Sequence, residues 1–137
     1  MALIETTGLH HVRLTVTDLA RSRAFYEEVL GFELAAQSPG DPSDPEVRRD
    51  PAQLYGGVVY QTNGILFGLR PVASADDGFD SERTGLDHLS FAVANRGVLD
   101  AALLALAERG VTHGQVMDLA VFGLAVLSFI DPDGVHQ

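Results

Sequence analysis

The sequence predicts an α+β fold made of two copies of one βαβββ unit, and three observations support this prediction. A strand-like phrase at residues 8–18, GLHHVRLTVTD, returns at residues 85–95 as GLDHLSFAVAN. A helical pattern that ends at a glycine follows each copy. In the first unit, an Asn-Gly pair between two apolar runs then marks a hairpin. The repeated phrase therefore organises the rest of the chain.

Each copy of the phrase places a histidine on the more polar face of its strand. Successive side chains of a strand point to opposite faces. We therefore expect His11 to lie with Arg13 and Thr15, and His10 to point the other way. In the second copy, His88 also lies on the small, polar face. A function for this protein has to explain two histidines at equivalent places.

The first unit is predicted to run strand, helix, strand and hairpin. Asp18 is a good N-cap for a helix over residues 19–30, and Gly31 ends that helix. Residues 32–36 form the next strand, and residues 54–70 form the hairpin.

A long polar loop, residues 37–53, separates the second strand from the hairpin. It is rich in Pro, Asp and Arg and has no hydrophobic period, which is typical of an exposed loop. Loops of this length in a compact domain are often lids or binding loops. A solvated insertion without a binding role is the alternative.

The second unit repeats the order after a polar linker, residues 71–84. Asn95 takes the N-cap position, and Gly110 ends the helix. Residues 111–117 and 121–130 are predicted to be strands.

The last strand of the second unit is short in this sequence. Residues 131–134, DPDG, form a turn, and residues 135–137 are all that follow it. The matching hairpin strand of the first unit continues to Arg70. An unpaired sheet edge beside the core is costly, so we expect the natural chain to continue past Gln137, and the alternative is a protein that has lost its last strand.

Composition restricts the class of protein. The 137 residues form one predicted domain, and 46% are apolar without any run long enough to span a membrane. The absence of cysteine excludes disulfides, thiolate ligands and a cysteine nucleophile, so any metal must be held by nitrogen and oxygen. A net charge of −10 argues against a nucleic-acid surface. No signal peptide is recognisable, and we expect a cytoplasmic protein.

The sequence resembles the vicinal oxygen chelate superfamily, which includes glyoxalase I, extradiol dioxygenases, fosfomycin-resistance thiol transferases, epimerases and bleomycin-resistance binding proteins. Three segments carry the resemblance. They are residues 8–33, which contain SRAFYEEVLGFE, residues 85–93, and residues 128–134, which contain FIDPDG. It implies that the two βαβββ modules, about residues 8–70 and 85–137, form a curved mixed sheet around a cavity. The motifs are specific to the superfamily and do not indicate one activity.

The resemblance also implies a divalent metal ion, Fe, Mn, Zn or Ni, held by the first and last strands of each module. The first-strand ligands fall on His11 and His88, and a last-strand carboxylate is expected one residue past Gln137. Its counterpart in the first module falls on Gly68, which has no side chain to bind a metal. The four-ligand set of glyoxalase I is therefore broken. Two histidines and one carboxylate remain, as in extradiol dioxygenases and the fosfomycin enzymes.

Further residues are candidates for lining the cavity. Tyr55, Tyr60 and Gln61 lie on strands expected to face it, and one of them is expected to orient the substrate or donate a proton. His136 lies two places before the predicted carboxylate and is another cavity candidate. It fits less well as a substitute ligand, because two residues along a strand move a side chain by roughly 6.5 Å.

Two functions from different classes stay open at this stage. The first is a metal-dependent enzyme acting on a small substrate that chelates through neighbouring oxygens, with dioxygenase-like chemistry favoured over lyase chemistry. The second is a metal-free, bleomycin-resistance-type protein that sequesters a small molecule, for which the acidic composition suits a cationic ligand. We expect a homodimer, since the linker of residues 71–84 permits either one closed chain or an exchange of halves between two chains.

Overall fold

The computed structural model describes residues 1–137, which divide into two compact units, Met1–Asp77 and Gly78–Gln137. The fold class is α+β, with two helices and a mixed sheet, as predicted. Neither helix is long and apolar enough to cross a membrane.

The first unit has the βαβββ order that the sequence predicts. Its elements are β1 (His11–Thr15), α1 (Leu19–Glu28), β2 (Glu33–Gln37), β3 (Val58–Gln61) and β4 (Leu66–Arg70). The strand order in the sheet is β1-β4-β3-β2. β1 pairs with β4 in parallel, and the other neighbours are antiparallel. The boundaries differ from the predicted ones by a few residues.

Local signals start and stop these elements where the sequence places them. The Asp18 side chain accepts a hydrogen bond from the Arg21 N–H at 3.0 Å and caps α1. Gly31 has a φ of +66°, which ends the helix in a conformation that favours glycine. At the hairpin tip, Gly64 has a φ of +116°.

The core of the first unit lies between the sheet and α1. Tyr26 of α1 packs its ring against Phe67 of β4, with the centroids 4.9 Å apart. The strand residues buried on this face are Leu14, Val16, Val58, Tyr60, Phe67 and Leu69. Because strand side chains alternate, His11 and Arg13 are left on the opposite, open face of the sheet.

A buried phenol is satisfied by the helix that covers the core. The Tyr60 hydroxyl donates to Glu27 Oε1 at 2.9 Å, and Arg23 Nε donates to the same oxygen at 2.8 Å. The hydrogen bond from Arg23 holds the pKa of Glu27 below its usual value, and burial raises the pKa of Tyr60. The three side chains therefore lock α1 onto β3.

The loop between β2 and β3, residues 38–57, is held together by its own hydrogen bonds. It contains one 3₁₀ turn, Val47–Arg49. The Asp50 carboxylate accepts two backbone N–H groups of the loop, at 2.9 and 3.0 Å. At its end, a Cβ on Gly57 would lie 2.0 Å from the Leu69 carbonyl oxygen. The loop is thus pressed against β4 at a position that only glycine fits.

The second unit contains α2 (Arg96–Glu108) and two short strands, β5 (Met117–Leu119) and β6 (Leu124–Val126). The Asn95 side chain caps α2 and Gly110 ends it with a φ of +67°, as predicted. β5 and β6 pair in antiparallel register. The strands predicted at residues 111–117 and 121–130 are therefore much shorter than expected.

The DPDG turn forms as predicted, but the first strand predicted for the second unit, residues 85–95, does not form. Asp131 Oδ1 accepts the N–H groups of Asp133 and Val135, which closes the turn. The Leu89 N–H donates to the His136 carbonyl at 3.0 Å, but no ladder follows. In the first unit β1 pairs with five residues of β4, whereas residues 85–95 form no such ladder. A strand without a partner leaves its backbone polar groups unpaired.

We predict that Gly57→Ala lowers the free energy of unfolding by about 2 kcal/mol or more, because the added methyl meets backbone rather than a movable side chain. Urea denaturation measures the change. Gly78→Ala is the matched control, since nothing lies within 4 Å of a Cβ there and its φ is ordinary. Equal stability of the two variants would contradict the close approach.

We predict that Tyr60→Phe lowers the free energy of unfolding at neutral pH by about 1 to 2 kcal/mol, the contribution of a hydrogen bond to a charged acceptor. Glu27→Gln tests the same network by pH. A depressed pKa in the folded state stabilises the protein above the usual value of 4.5 and stops doing so as pH falls through the folded pKa. The wild type should lose this increment in acid, and Glu27→Gln should lack it at every pH.

Candidate functional site

The open face of the first-unit sheet carries most of the residues that the sequence singles out. Cross-strand partners share a face, and the register pairs His11 with Leu66 and Arg13 with Gly68. On the other side of β4, Gln61 also pairs with Leu66. Side chains from three strands therefore converge on this surface.

Two hollows meet on this face. A pocket of about 150 Å³ is lined by His10, His11, Arg13, Val59, Leu66 and Gly68. A wider, open hollow of about 440 Å³ lies between residues 7–10 and the hairpin, and Gln61 is part of its lining. His10 and Leu66 border both, so the two form one groove. Its volume is in the range of small-molecule sites.

His11 is oriented by the residue that precedes it. Its Nδ1 lies 2.9 Å from Nδ1 of His10, and the two rings meet edge to face with centroids 5.1 Å apart. The prediction that His10 points away from His11 is wrong, because β1 begins at His11 and strand alternation does not reach His10. The contact uses Nδ1 of His11 and leaves its Nε2 without a protein partner.

His88 is oriented in the same manner in the second unit. Its Nδ1 contacts the carboxylate of Asp87, again the preceding residue, and its ring is exposed. An Nδ1–H that donates to a carboxylate leaves the Nε2 lone pair available, which is how metal-binding histidines are commonly held. The sequence analysis missed His10 and Asp87 as orienting residues. The sequence feature that could have identified them is that they occupy equivalent positions in the repeated phrase.

Comparison with known proteins identifies the family of this chain. A family model described as Glyoxalase/Bleomycin resistance protein/Dioxygenase superfamily matches residues 8–136. The chain belongs to this superfamily. No curated protein matches the sequence significantly.

Solved structures of superfamily proteins share the fold. A glyoxylase/bleomycin resistance protein/dioxygenase domain from Frankia sp. EAN1pec is 28% identical with a TM-score of 0.75, covering 96% of this chain and 94% of that one. A glyoxalase/dioxygenase from Nostoc punctiforme is 24% identical, with a TM-score of 0.70 and coverage of 99% and 91%. A lactoylglutathione lyase from Agrobacterium tumefaciens is 15% identical, with a TM-score of 0.68 and coverage of 96% and 90%. The last two likenesses show the fold alone.

Members of this superfamily commonly use a divalent metal, and the donors of this chain fit one in part. Two exposed imidazoles, His11 and His88, present Nε2, a good ligand for Fe, Mn, Zn or Ni. His11 lies in the first unit and His88 in the second. No group of three or more His, Cys, Asp or Glu side chains is arranged to hold an ion.

An arginine lies across the position where the resemblance expects a carboxylate in the first unit. A Cβ on Gly68 would stand 2.8 Å from Cγ of Arg13, so the arginine stem lies over the glycine. The Arg13 guanidinium then donates to the Ala52 carbonyl at 2.6 Å. The open face therefore presents a cation next to His11.

The candidate cavity residues are placed differently from one another. Gln61 is exposed on the open face, whereas its neighbour Tyr60 is buried against α1. The expectation that Tyr60 faces the cavity is wrong, because adjacent residues of β3 point to opposite faces. Tyr55 lies in the loop and not on a strand, with a φ of +52°. His136 is exposed in the second unit, with its ring centroid 6.4 Å from that of Phe79.

We predict that neutral His88 carries its proton on Nδ1, because Asp87 accepts a hydrogen bond there. Long-range ¹H–¹⁵N NMR spectra, recorded at a pH where the ring is neutral, report the tautomer directly. Asp87→Ala should shift the ring toward the Nε2–H tautomer that free imidazole side chains prefer. His113, whose Nδ1 contacts the Gly114 carbonyl instead, serves as the unchanged reference in both proteins. An Nε2–H ring in the wild type would contradict the prediction.

Proposed function

We propose that this protein is a metal-dependent enzyme of its superfamily that acts on a small molecule with two neighbouring oxygens, with dioxygenase-like chemistry favoured. The observation that supports the proposal is the equivalent setting of His11 and His88. In both, the preceding side chain contacts Nδ1 and Nε2 has no protein partner. The Asp87 carboxylate favours the Nδ1–H form of His88, and His11 offers the same available Nε2 lone pair when its Nδ1 donates to His10.

The residues of the chain have separate roles in this proposal. His11 and His88 act as metal ligands. His10 and Asp87 fix the orientation of the two ligand rings. A bound divalent ion supplies Lewis acidity toward a chelating substrate and, in the case of Fe(II), reactivity toward dioxygen.

The groove beside His11 supplies the substrate contacts. Val59 and Leu66 give it apolar walls, which exclude water from part of the bound molecule. The Gln61 side chain stands at the wider hollow, where its amide can donate to and accept from a polar substrate group. Tyr60 takes no part in substrate binding, because its hydroxyl is engaged by Glu27 in the core.

A metal-free binding protein is the second candidate, and one observation favours it. Arg13 covers Gly68, so the first unit offers a cation where a metal site of the superfamily has a carboxylate. A groove with an arginine and apolar walls can sequester a ligand without an ion. The same glycine argues against lactoylglutathione lyase chemistry, for which we expect no product from the hemithioacetal of methylglyoxal and glutathione.

We predict that the protein binds Fe(II), Mn(II) or Zn(II) near stoichiometrically after reconstitution, measured by elemental analysis and titration calorimetry. His11→Ala and His88→Ala should each abolish tight binding. His10→Ala and Asp87→Ala should weaken it by about 10- to 100-fold, as is usual for residues that orient ligands.

His113→Gln is the control for these variants, since His113 contacts only its neighbouring carbonyl among the candidate groups and should leave metal binding unchanged. Absence of metal from the reconstituted wild type would refute the enzyme and leave the binding protein. Retention of metal by His11→Ala would refute the assigned ligand.

A further inference from the structure

Seven of the nine arginines of this chain fall into two groups by their partners. Nine arginines and no lysine face 19 carboxylates, so a carboxylate is available to every cation. Four arginines form ion pairs with aspartate or glutamate, and these are Arg23, Arg49, Arg83 and Arg96. Ion pairing with a carboxylate therefore engages four of the nine guanidinium groups.

Three arginines have no carboxylate partner, and all three lie around the groove face of the first unit. Arg13 donates to the Ala52 carbonyl at 2.6 Å, and Arg48 donates to the Pro42 carbonyl at 2.6 Å. Arg70 has a buried Nε with no hydrogen-bond partner. Since a guanidinium has five N–H donors, each of the three retains donors for another group.

The geometry brings these three guanidinium groups to one region. Arg13 pairs with Gly68, two residues before Arg70 on the same face of β4. The ring of Tyr55 lies beneath both remaining cations, with the guanidinium carbon of Arg48 at 4.9 Å and that of Arg70 at 5.6 Å from its centroid. Tyr55 reaches this place from a left-handed backbone conformation, which a bulky residue rarely adopts. The loop thus carries Arg48 to the strand that carries Arg70.

The acidic residues of the loop form no ion pair with these three arginines, because each has another partner. Asp41 accepts from Ser43, and Asp50 accepts two backbone N–H groups, which holds the pKa of both carboxyl groups below the usual value. Asp44 accepts the N–H of Glu46, and Glu46 pairs with Arg49. Like charges that are brought together repel one another, and a bound anion offsets that repulsion.

We propose that Arg13, Arg48 and Arg70 form a subsite for an oxyanion, a carboxylate or phosphate group of the molecule that binds in the groove beside His11. Guanidinium forks bind both groups through paired charge-assisted hydrogen bonds. The inference rests on the proposed function in taking the groove as the substrate site, but the subsite itself needs no metal. It reverses the expectation of a cationic ligand that the net charge alone suggests.

Titration of the full chain with small anions, followed by ¹H–¹⁵N NMR at constant ionic strength in the presence of EDTA, tests the subsite. Inorganic phosphate and acetate are the two probes, and tetramethylammonium is the cationic counterpart. At least one anion should cause saturable shifts at the amides of Arg13, Tyr55 and Arg70. The anion that binds more tightly identifies the group carried by the substrate.

Arg48→Gln and Arg49→Gln form a matched pair, because the two arginines are neighbours in one 3₁₀ turn and only Arg49 is ion-paired. Arg48→Gln, Arg13→Gln and Arg70→Gln should each weaken anion binding by about tenfold, the loss of one charge-assisted contact. Arg49→Gln should change it by less than about twofold. Circular dichroism checks that each variant is folded, and Arg70→Lys retains the charge if Arg70→Gln unfolds.

Failure of the subsite differs from failure of the metal site. Anion binding in EDTA that survives His11→Ala supports the subsite, whatever the outcome of metal reconstitution. Absence of saturable shifts, shifts only with tetramethylammonium, or an equal loss in Arg48→Gln and Arg49→Gln would overturn it. None of these results bears on whether His11 and His88 bind an ion.

Discussion

The parallel pairing of β1 with β4 determines where everything else in the first unit lies. It pairs Val12 with Phe67 and Leu14 with Leu69, and Leu14, Phe67 and Leu69 are buried in the core. The same register leaves His11 beside Leu66 and Arg13 beside Gly68 on the opposite face. A shift of one residue would exchange the two faces and bury the imidazole and the guanidinium. The stability of the core and the chemistry of the groove therefore both depend on this register.

The net charge of the protein and the charges beside the groove favour ligands of opposite sign. The net charge of −10 describes the field far from the surface, where it favours cations. Within the groove, the groups in contact with a ligand determine which charge it carries. The field of distant carboxylates is screened over a Debye length of about 8 Å at physiological salt. The contacts near His11 come from Arg13, and farther along from Arg48 and Arg70 around Tyr55. A locally cationic site therefore selects anions even though the net charge of the protein is negative.

The sequence predicted features that depend on local signals and missed those that depend on tertiary partners. The caps at Asp18 and Asn95 and the stop at Gly31 came from residues adjacent in the chain, and the structure has them. The strand at residues 85–95 failed, because a strand exists only with a ladder partner. Tyr60 was assigned to the cavity together with its neighbour Gln61, although alternation allows only one of the two to point away from the core. The unpaired arginines were invisible, because ion pairing is settled by the fold.

Gly68 also limits how this groove can change during evolution. Any side chain at that position meets the stem of Arg13, so a carboxylate cannot be acquired there by one substitution. Arg13 must first become smaller, and that step detaches the guanidinium from Ala52 and from the groove. The effects of substitutions at Gly68 and Arg13 therefore depend on each other. A variant with a smaller residue in place of Arg13 and an unchanged Gly68 has neither the cation nor the metal-binding carboxylate. A carboxylate introduced at Gly68 therefore requires an accompanying change at Arg13.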